Sequence, residues 1–98
     1  MVQLKRVVLD ILKPHQPNVL EFSRLLAEQG GVRVRLAVLE MDDKTETLQV
    51  EILGEDIDFD RVQLAISEFG ASLHSIDEVE VAAGSDSCAA PESAGSAA

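Results

Sequence analysis

Two segments of the chain place apolar residues at helical spacing, and the segments around them alternate between apolar and polar residues. Asn18 stands where a helix N-cap is expected, and Gly30-Gly31 ends the segment that follows it. Asp58 and Gly70 bracket the second segment in the same way. The predicted buried stripes are Val19, Phe22, Leu25 and Leu26 in the first helix, and Phe59, Val62, Ala65, Ile66 and Phe69 in the second.

The alternating segments predict four strands, over residues 2–13, 32–39, 48–53 and 73–81. The first has apolar residues on both faces and is expected at the centre of a sheet, whereas the last is polar and is expected at an edge. Asp42-Asp43-Lys44 is a turn that makes the second and third strands a hairpin, whose register predicts a cross-strand ion pair between Arg35 and Glu51. The order βαββαβ predicts an α+β, ferredoxin-like fold, in which two helices cover one face of a four-stranded antiparallel sheet.

Charge and composition limit the possible functions. The formal net charge of −10 disfavours nucleic-acid binding, since phosphate backbones would repel the chain. No apolar run is long enough to span a membrane, and we expect a cytoplasmic protein. Few lysines and many acids are typical of a halophilic source. Residues 1–83 are predicted to form the domain, and residues 84–98, which include Cys88, an Ala/Ser/Gly-rich disordered tail.

The face of the predicted sheet opposite the helices mixes charges with apolar side chains. Its predicted members are Arg6, Val8, Asp10, Leu12, Arg33, Arg35, Ala37, Leu39, Thr47, Gln49, Glu51 and Leu53. Such a face can remain solvated, or it can contact another copy of the chain. We favour a homo-oligomer formed through this face, with strand-to-strand contacts at the sheet edges as a second route.

Several functions found on this architecture lack their residues here. The first strand–helix loop has no cysteine pair for a heavy metal, the open face has no aromatic residue for stacking RNA bases, and no glycine-rich loop could hold a phosphate. The run from Asp56 to Asp60 begins like a calcium loop, but Ser67 stands where the final glutamate should be. Helix capping explains this run better.

Clustered carboxylates suggest divalent-cation binding. Glu40, Asp42, Asp43 and Glu46 crowd the hairpin, and Ca²⁺ prefers oxygen ligands of this kind. A second group, His74, Asp77 and Glu78, lies on the last strand, where alternation puts His74, Ile76 and Glu78 on one side. A solvated acidic surface is the alternative interpretation of both groups.

Two further polar residues are candidates of a different kind. Asp10 lies in the middle of the predicted central strand, where it needs a partner. We expect an ion pair with Arg6 or Arg35, with a ligand role as the alternative. His15, between two prolines, is expected to be exposed, with ligand binding as a less favoured role.

Three segments resemble an archaeal family known only as a domain of unknown function, DUF211. They are VVLDILKPH at 7–15, VLEMDDKTETLQVEILGEDIDF at 38–59 and HSIDEVE at 74–80. The resemblance implies a ferredoxin-like fold, homo-oligomeric assembly and an archaeal source. It carries over no catalytic residue. The matching polar positions are Asp10, His15, Glu40, Asp42, Glu46, His74, Asp77 and Glu78.

The leading hypothesis is therefore a non-enzymatic, self-assembling protein with Ca²⁺ or another divalent cation near its subunit contacts. Its candidate ligands are Asp10, Glu40, Asp42, Glu46, His74, Asp77 and Glu78. The alternative is a small-molecule-sensing regulatory module with a pocket at a helix–sheet junction. An enzyme is disfavoured, because no nucleophile stands beside a base in the sequence.

Overall fold

A computed structural model describes residues 2–83 of the chain. The elements are β1 (Val2–Pro14), α1 (Val19–Gly30), β2 (Arg33–Met41), β3 (Thr45–Leu53), α2 (Phe59–Glu68) and β4 (Ser72–Ala83). The sheet order is β2-β3-β1-β4, and every neighbouring pair is antiparallel. The predicted ferredoxin-like βαββαβ fold is confirmed, with β1 inside the sheet and β4 at an edge.

Both helices begin at the predicted caps. The side chain of Asn18 accepts a hydrogen bond from the backbone N–H of Glu21, and that of Asp58 accepts one from Arg61. Each bond satisfies a backbone donor that has no partner inside its helix. Gly31 ends α1 in the left-handed region at φ 64°, where a residue with a Cβ atom is strained.

The core lies between the sheet and the two helices. Val7, Leu9 and Ile11 of β1 are fully or almost fully buried, as are Phe22 and Leu26 of α1. The rings of Phe22 and Phe69 meet edge to face at 6.2 Å between centroids, which links the two helices. The remaining members are Leu48, Val50, Ile52, Ile57, Val62, Ala65, Ile66 and Ala71.

Two bulges change the predicted alternation along β4. The register passes from Glu78 opposite Val8 to Ile76 opposite Leu9, and from Ser75 opposite Asp10 to Leu73 opposite Ile11. His74 and Asp77 are therefore extra residues without a partner position on β1. The prediction that Ile76 and Glu78 share a face is wrong, because the bulge at Asp77 puts them on opposite faces.

The predicted tail and Cys88 lie outside the described residues, so the structure does not bear on them.

Candidate functional site

A buried lysine connects the β1–α1 loop to the hairpin of β2 and β3. The Lys13 side chain has no exposed surface, and its Nζ donates hydrogen bonds to the backbone carbonyls of Pro14, at 2.7 Å, and Pro17. Nζ also lies 2.8 Å from Oε1 of Glu46, whose side chain is 8% exposed. The contact is an ion pair, but its geometry does not meet the angles of a hydrogen bond, so Oε1 of Glu46 has no hydrogen-bond partner.

His15 completes this network from the surface side. Its Nδ1 lies 3.0 Å from Oε2 of Glu46, and its Nε2 lies 3.0 Å from the backbone oxygen of Asp42. Only the doubly protonated imidazolium can donate to both acceptors at once. The pKa of His15 is accordingly raised, chiefly by the hydrogen bond with Glu46, against the effect of desolvation.

The hairpin carboxylates have separate partners in the structure. Burial alone would raise the pKa of Glu46, but contacts with Lys13 and His15 outweigh it, so the pKa is lowered. Asp42 uses Oδ1 to accept hydrogen bonds from the backbone N–H groups of Lys44 and Thr45, which closes the turn and lowers its pKa. Glu46 is thus a buried structural partner and Asp42 a turn cap.

Glu40 and the residues of β4 lie elsewhere. Glu40 is exposed and pairs in register with Thr47, beyond a bulge at Leu39. Glu78 accepts a hydrogen bond from Nη1 of Arg6 at 2.8 Å, and the hydroxyl of Ser75 donates to Asp77 at 2.9 Å.

Asp10 does not form the predicted ion pair. It lies opposite Gln49 on β3 and Ser75 on β4, and its Oδ1 is buried without a hydrogen-bond partner. The expectation of a pair with Arg6 or Arg35 is wrong, because both arginines contact Glu51 one row along the sheet. The predicted pair between Arg35 and Glu51 is confirmed at 3.7 Å.

The seven predicted ligand residues are consequently divided between the hairpin, the middle of the sheet and the β4 edge. Across residues 2–83, no group of three or more His, Cys, Asp or Glu side chains is arranged to hold a metal ion. The described part of one chain therefore does not fit a calcium site, and cation binding by these residues stays a prediction.

The open face exposes less apolar surface than predicted. The guanidinium of Arg6 contacts Glu51 on one side and Glu78 on the other, the two residues that flank Val8 in the register. These contacts raise the pKa of Arg6, and the hydrogen bond from Arg6 lowers that of Glu51. Val8 is buried beneath this ion-pair layer, at 4% exposure.

Exposed apolar side chains are concentrated at the sheet edges instead. Ile76, Val79 and Val81 of β4 are 48%, 57% and 55% exposed. Ile76 and Val79 pair with core-facing Leu9 and Val7, so they point to the helix side of the sheet. At the other edge, the far end of β2 exposes Val38, Leu39 and Met41.

Sequence reasoning missed both the buried lysine and these edges. Periodicity contained a signal for the first, since Lys13 follows Val7, Leu9 and Ile11 at spacing of two and so belongs to the core face. The exposure of Ile76 depends on how far the helices extend over the sheet, and no local sequence pattern predicts that extent.

None of the helices within residues 2–83 has the length and apolar content needed to cross a membrane.

Comparisons with known proteins identify the family of the chain. The sequence profile of the DUF211 family, described as uncharacterized ArCR, matches residues 5–92. An uncharacterized protein of Methanocaldococcus jannaschii, MJ0319, is 42% identical over 77 residues, which cover 78% of this chain and 79% of the relative. The chain therefore belongs to DUF211, an archaeal family of unknown function.

Proposed function

We propose that the protein is a non-enzymatic, self-assembling protein that forms homo-oligomers. The observation that carries this proposal is the set of half-exposed apolar side chains on β4, Ile76, Val79 and Val81. They lie on an edge strand of 12 residues whose outer backbone groups have no neighbouring strand within the described residues. An apolar strip beside a free strand edge is a typical site for pairing with another chain.

The position of the helices explains why this strip is not covered within one chain. Helix α1 contacts β2, and α2 contacts β4, but Val79 remains more than half exposed. Burying such side chains against a second copy gains roughly 25 cal/mol for each Å² of apolar surface removed from water. That gain favours association.

The net charge of −10 opposes association, because like-charged copies repel each other. Salt screens this repulsion, so we expect assembly to strengthen with ionic strength, as would suit a halophilic, cytoplasmic protein. Divalent cations such as Ca²⁺ would act where carboxylates of two copies meet. Exposed Glu40 and Asp77 are the candidates on the two edge strands.

The test measures molar mass by light scattering and sedimentation, over a range of protein and salt concentrations. We expect an oligomer that weakens in Val79→Lys and Ile76→Lys. The matched control is Leu64→Lys on α2, where the side chain is 60% exposed. A wild-type chain that stays monomeric in all conditions contradicts the proposal. A mass that does not change between Ca²⁺ and EDTA at fixed ionic strength contradicts only the role of cations.

One observation favours the sensing module as a second candidate. A groove of about 630 Å³ lies where the turns after α1 and β3 meet the end of the sheet, and Lys5, Arg33, Gly31 and Gly54 line it. The charged residues of its lining are Lys5, Arg6, Arg33, Glu55 and Glu80, and this excess of one cation in an acidic protein suits a small anion. A thermal-shift screen of anionic metabolites tests it, and a melting temperature unchanged by every compound would count against it.

A further inference from the structure

We propose that the open face of the sheet binds a small zwitterion of the amino-acid class, with Asp10 holding its primary ammonium group and Arg35 holding its carboxylate. The inference goes beyond self-assembly and does not depend on it. Asp10, the residue that anchors the ligand, lies on β1 inside the sheet and not on an edge strand.

The observation that carries this inference is the unpaired carboxylate of Asp10. Its Oδ1 is buried without a hydrogen-bond partner, and within residues 2–83 its carboxylate forms no ion pair. Burying a charged oxygen without a partner lowers the stability of the fold. The side chain as a whole is only partly buried, so a ligand can reach it from the open face. A carboxylate in this state is typical of a binding residue whose partner arrives with the ligand.

The row of side chains that contains Asp10 offers three oxygen acceptors to one nitrogen. Gln49 on β3 and Ser75 on β4 are the register partners of Asp10, so the three side chains share the open face. The Ser75 hydroxyl donates its hydrogen to Asp77 at 2.9 Å, which leaves the lone pairs of its oxygen as acceptors. A primary ammonium group has three donors, and the amide oxygen, the carboxylate and the hydroxyl oxygen match them.

A β-bulge brings Ser75 into this row. Regular pairing from Glu78 onward would place Ile76 opposite Asp10, but the extra residue Asp77 shifts the register so that Ser75 takes this position. Bulges re-aim side chains and are frequent beside functional sites. The bulge therefore puts a hydroxyl group beside the carboxylate in place of an apolar side chain.

A metal ion fits this row less well than an ammonium group does. Ca²⁺ takes about six to eight oxygen ligands, often from several carboxylates. Asp10 is the only carboxylate of its row, whose other members are Ala37, Gln49 and Ser75. In the part of the chain that the structure describes, no three His, Cys, Asp or Glu side chains are grouped to hold a metal.

A shallow depression of about 230 Å³ leads from this row to Arg35. Gln49 and Ala37 line it together with Arg35. The Arg35 side chain is 78% exposed and lies 3.7 Å from Glu51, so most of its guanidinium donors are available to a ligand. Glu51 also contacts Arg6, so Arg35 can turn to a carboxylate without leaving Glu51 unpaired. A guanidinium group binds a carboxylate through two parallel hydrogen bonds.

Binding is tested by NMR titration of the nitrogen-labelled protein at fixed pH and ionic strength. The panel contains the natural α-amino acids, β-alanine and γ-aminobutyrate. We expect at least one of these compounds to shift the amide resonances of Asp10, Gln49 and Ser75 until they saturate. Ethylammonium and acetate each carry only one of the two charged groups, so they should bind at least about tenfold more weakly.

Variants identify the two binding residues. Asp10→Asn and Arg35→Gln should each raise the dissociation constant of the tightest compound by at least about tenfold, because each removes a charged hydrogen-bond partner. The matched control is Asp56→Asn, which makes the same charge change in the exposed turn before α2 and should bind like wild type. If Asp10→Asn does not fold, Gln49→Ala at an exposed position replaces it, with an expected loss of about threefold.

The melting temperature of the unliganded protein provides a second test. Because Asp10 has no partner in the chain, Asp10→Asn should leave the melting temperature unchanged or raise it. Glu51→Gln is the same kind of change at a carboxylate that Arg6 contacts, and it should lower the melting temperature by at least about 2 °C. An equal drop in both variants would show that Asp10 has a structural partner, and would overturn the inference.

Three results of the titration would also overturn it. The first is a panel in which no compound shifts these resonances at millimolar concentration. The second is equal binding of the tightest compound to wild type and Asp10→Asn. The third is saturation of the same resonances by Ca²⁺ at a lower concentration than any compound of the panel, since the row would then be a metal site.

Discussion

Replacing Lys13 by methionine tests whether the buried ion pair stabilises the fold. Methionine keeps much of the length of the side chain but removes the charge that contacts Glu46 and the donors to Pro14 and Pro17. Because the Lys13 side chain has no exposed surface, water cannot replace these contacts without a local rearrangement. Removing one partner of a buried ion pair costs about 3–5 kcal/mol, far more than at the surface.

Protonation of Glu46 limits the part of this cost that comes from leaving a buried carboxylate without its lysine partner. The ordinary pKa of a glutamate is 4.5. Since each pH unit corresponds to about 1.4 kcal/mol, neutralising this carboxyl at pH 7 costs about 3.4 kcal/mol, and at pH 5.5 about 1.4 kcal/mol. We therefore expect Lys13→Met to lose about 3–4 kcal/mol of unfolding free energy at pH 7. The difference from wild type should narrow by about 2 kcal/mol at pH 5.5.

Urea unfolding followed by far-UV circular dichroism measures this loss, since the chain has no tryptophan or tyrosine for fluorescence. With a urea slope of about 1–1.5 kcal/mol/M, the midpoint should fall by about 2–4 M at pH 7. Adding Glu46→Met to Lys13→Met should recover more than half of the loss, since no charge is then left buried. The control is Lys5→Met, whose partner Glu55 is fully exposed, and it should cost less than about 1 kcal/mol.

A loss below about 1 kcal/mol for Lys13→Met would refute the reasoning. A double variant as unstable as the single one would refute it too, because the cost would then not come from an uncompensated carboxylate.

Three further predictions concern His15, the N-cap of α1 and the buried face of α1. His15→Asn should flatten the pH dependence of stability above pH 6.5. Because the pKa of His15 is raised in the folded protein, its contacts stabilise the fold fully below pH 6.5, and this contribution is lost as the pH rises through the folded pKa. Thermal melts from pH 5.5 to 9 would measure the change. Asn18→Ala should cost about 1 kcal/mol in urea unfolding by removing the cap of α1, and an unchanged midpoint would contradict the role of the cap. Leu26→Ala should cost about 2–5 kcal/mol by leaving a cavity in the core, whereas Leu20→Ala, at a 59% exposed position of the same helix, should cost under about 1 kcal/mol, and equal losses would contradict the assigned inner face.

Much of the fold could be predicted because its signals are local. The caps at Asn18 and Asp58 and the turn at Asp42 each depend on residues within about three positions along the chain, so they can be identified by spacing alone. The pairing of Arg35 with Glu51 was also predictable, because a short turn determines the register of its hairpin.

The candidate site was less predictable, since its contacts join distant parts of the chain. The alternation of faces along a strand assumes that each residue is opposite one residue of the neighbouring strand. The bulges at His74 and Asp77 each break that rule by adding a residue without a partner. The expected ion pair of Asp10 with Arg6 or Arg35 also did not form. Proximity along a face suggested the pair, but Glu51 and Glu78 flank Arg6 more closely across the strands.

By itself the sequence determined which segments form helices and strands, where the two helices begin and end, and which face of each helix is apolar, since these properties depend on the spacing of neighbouring residues. Only the tertiary structure decided that Lys13 and Glu46 are buried together, that Arg6 covers Val8, and that Val79 stays exposed at an edge. Those outcomes depend on which strands become neighbours and how far the helices extend over them. They are set by packing across the sheet, and no local pattern contains that information.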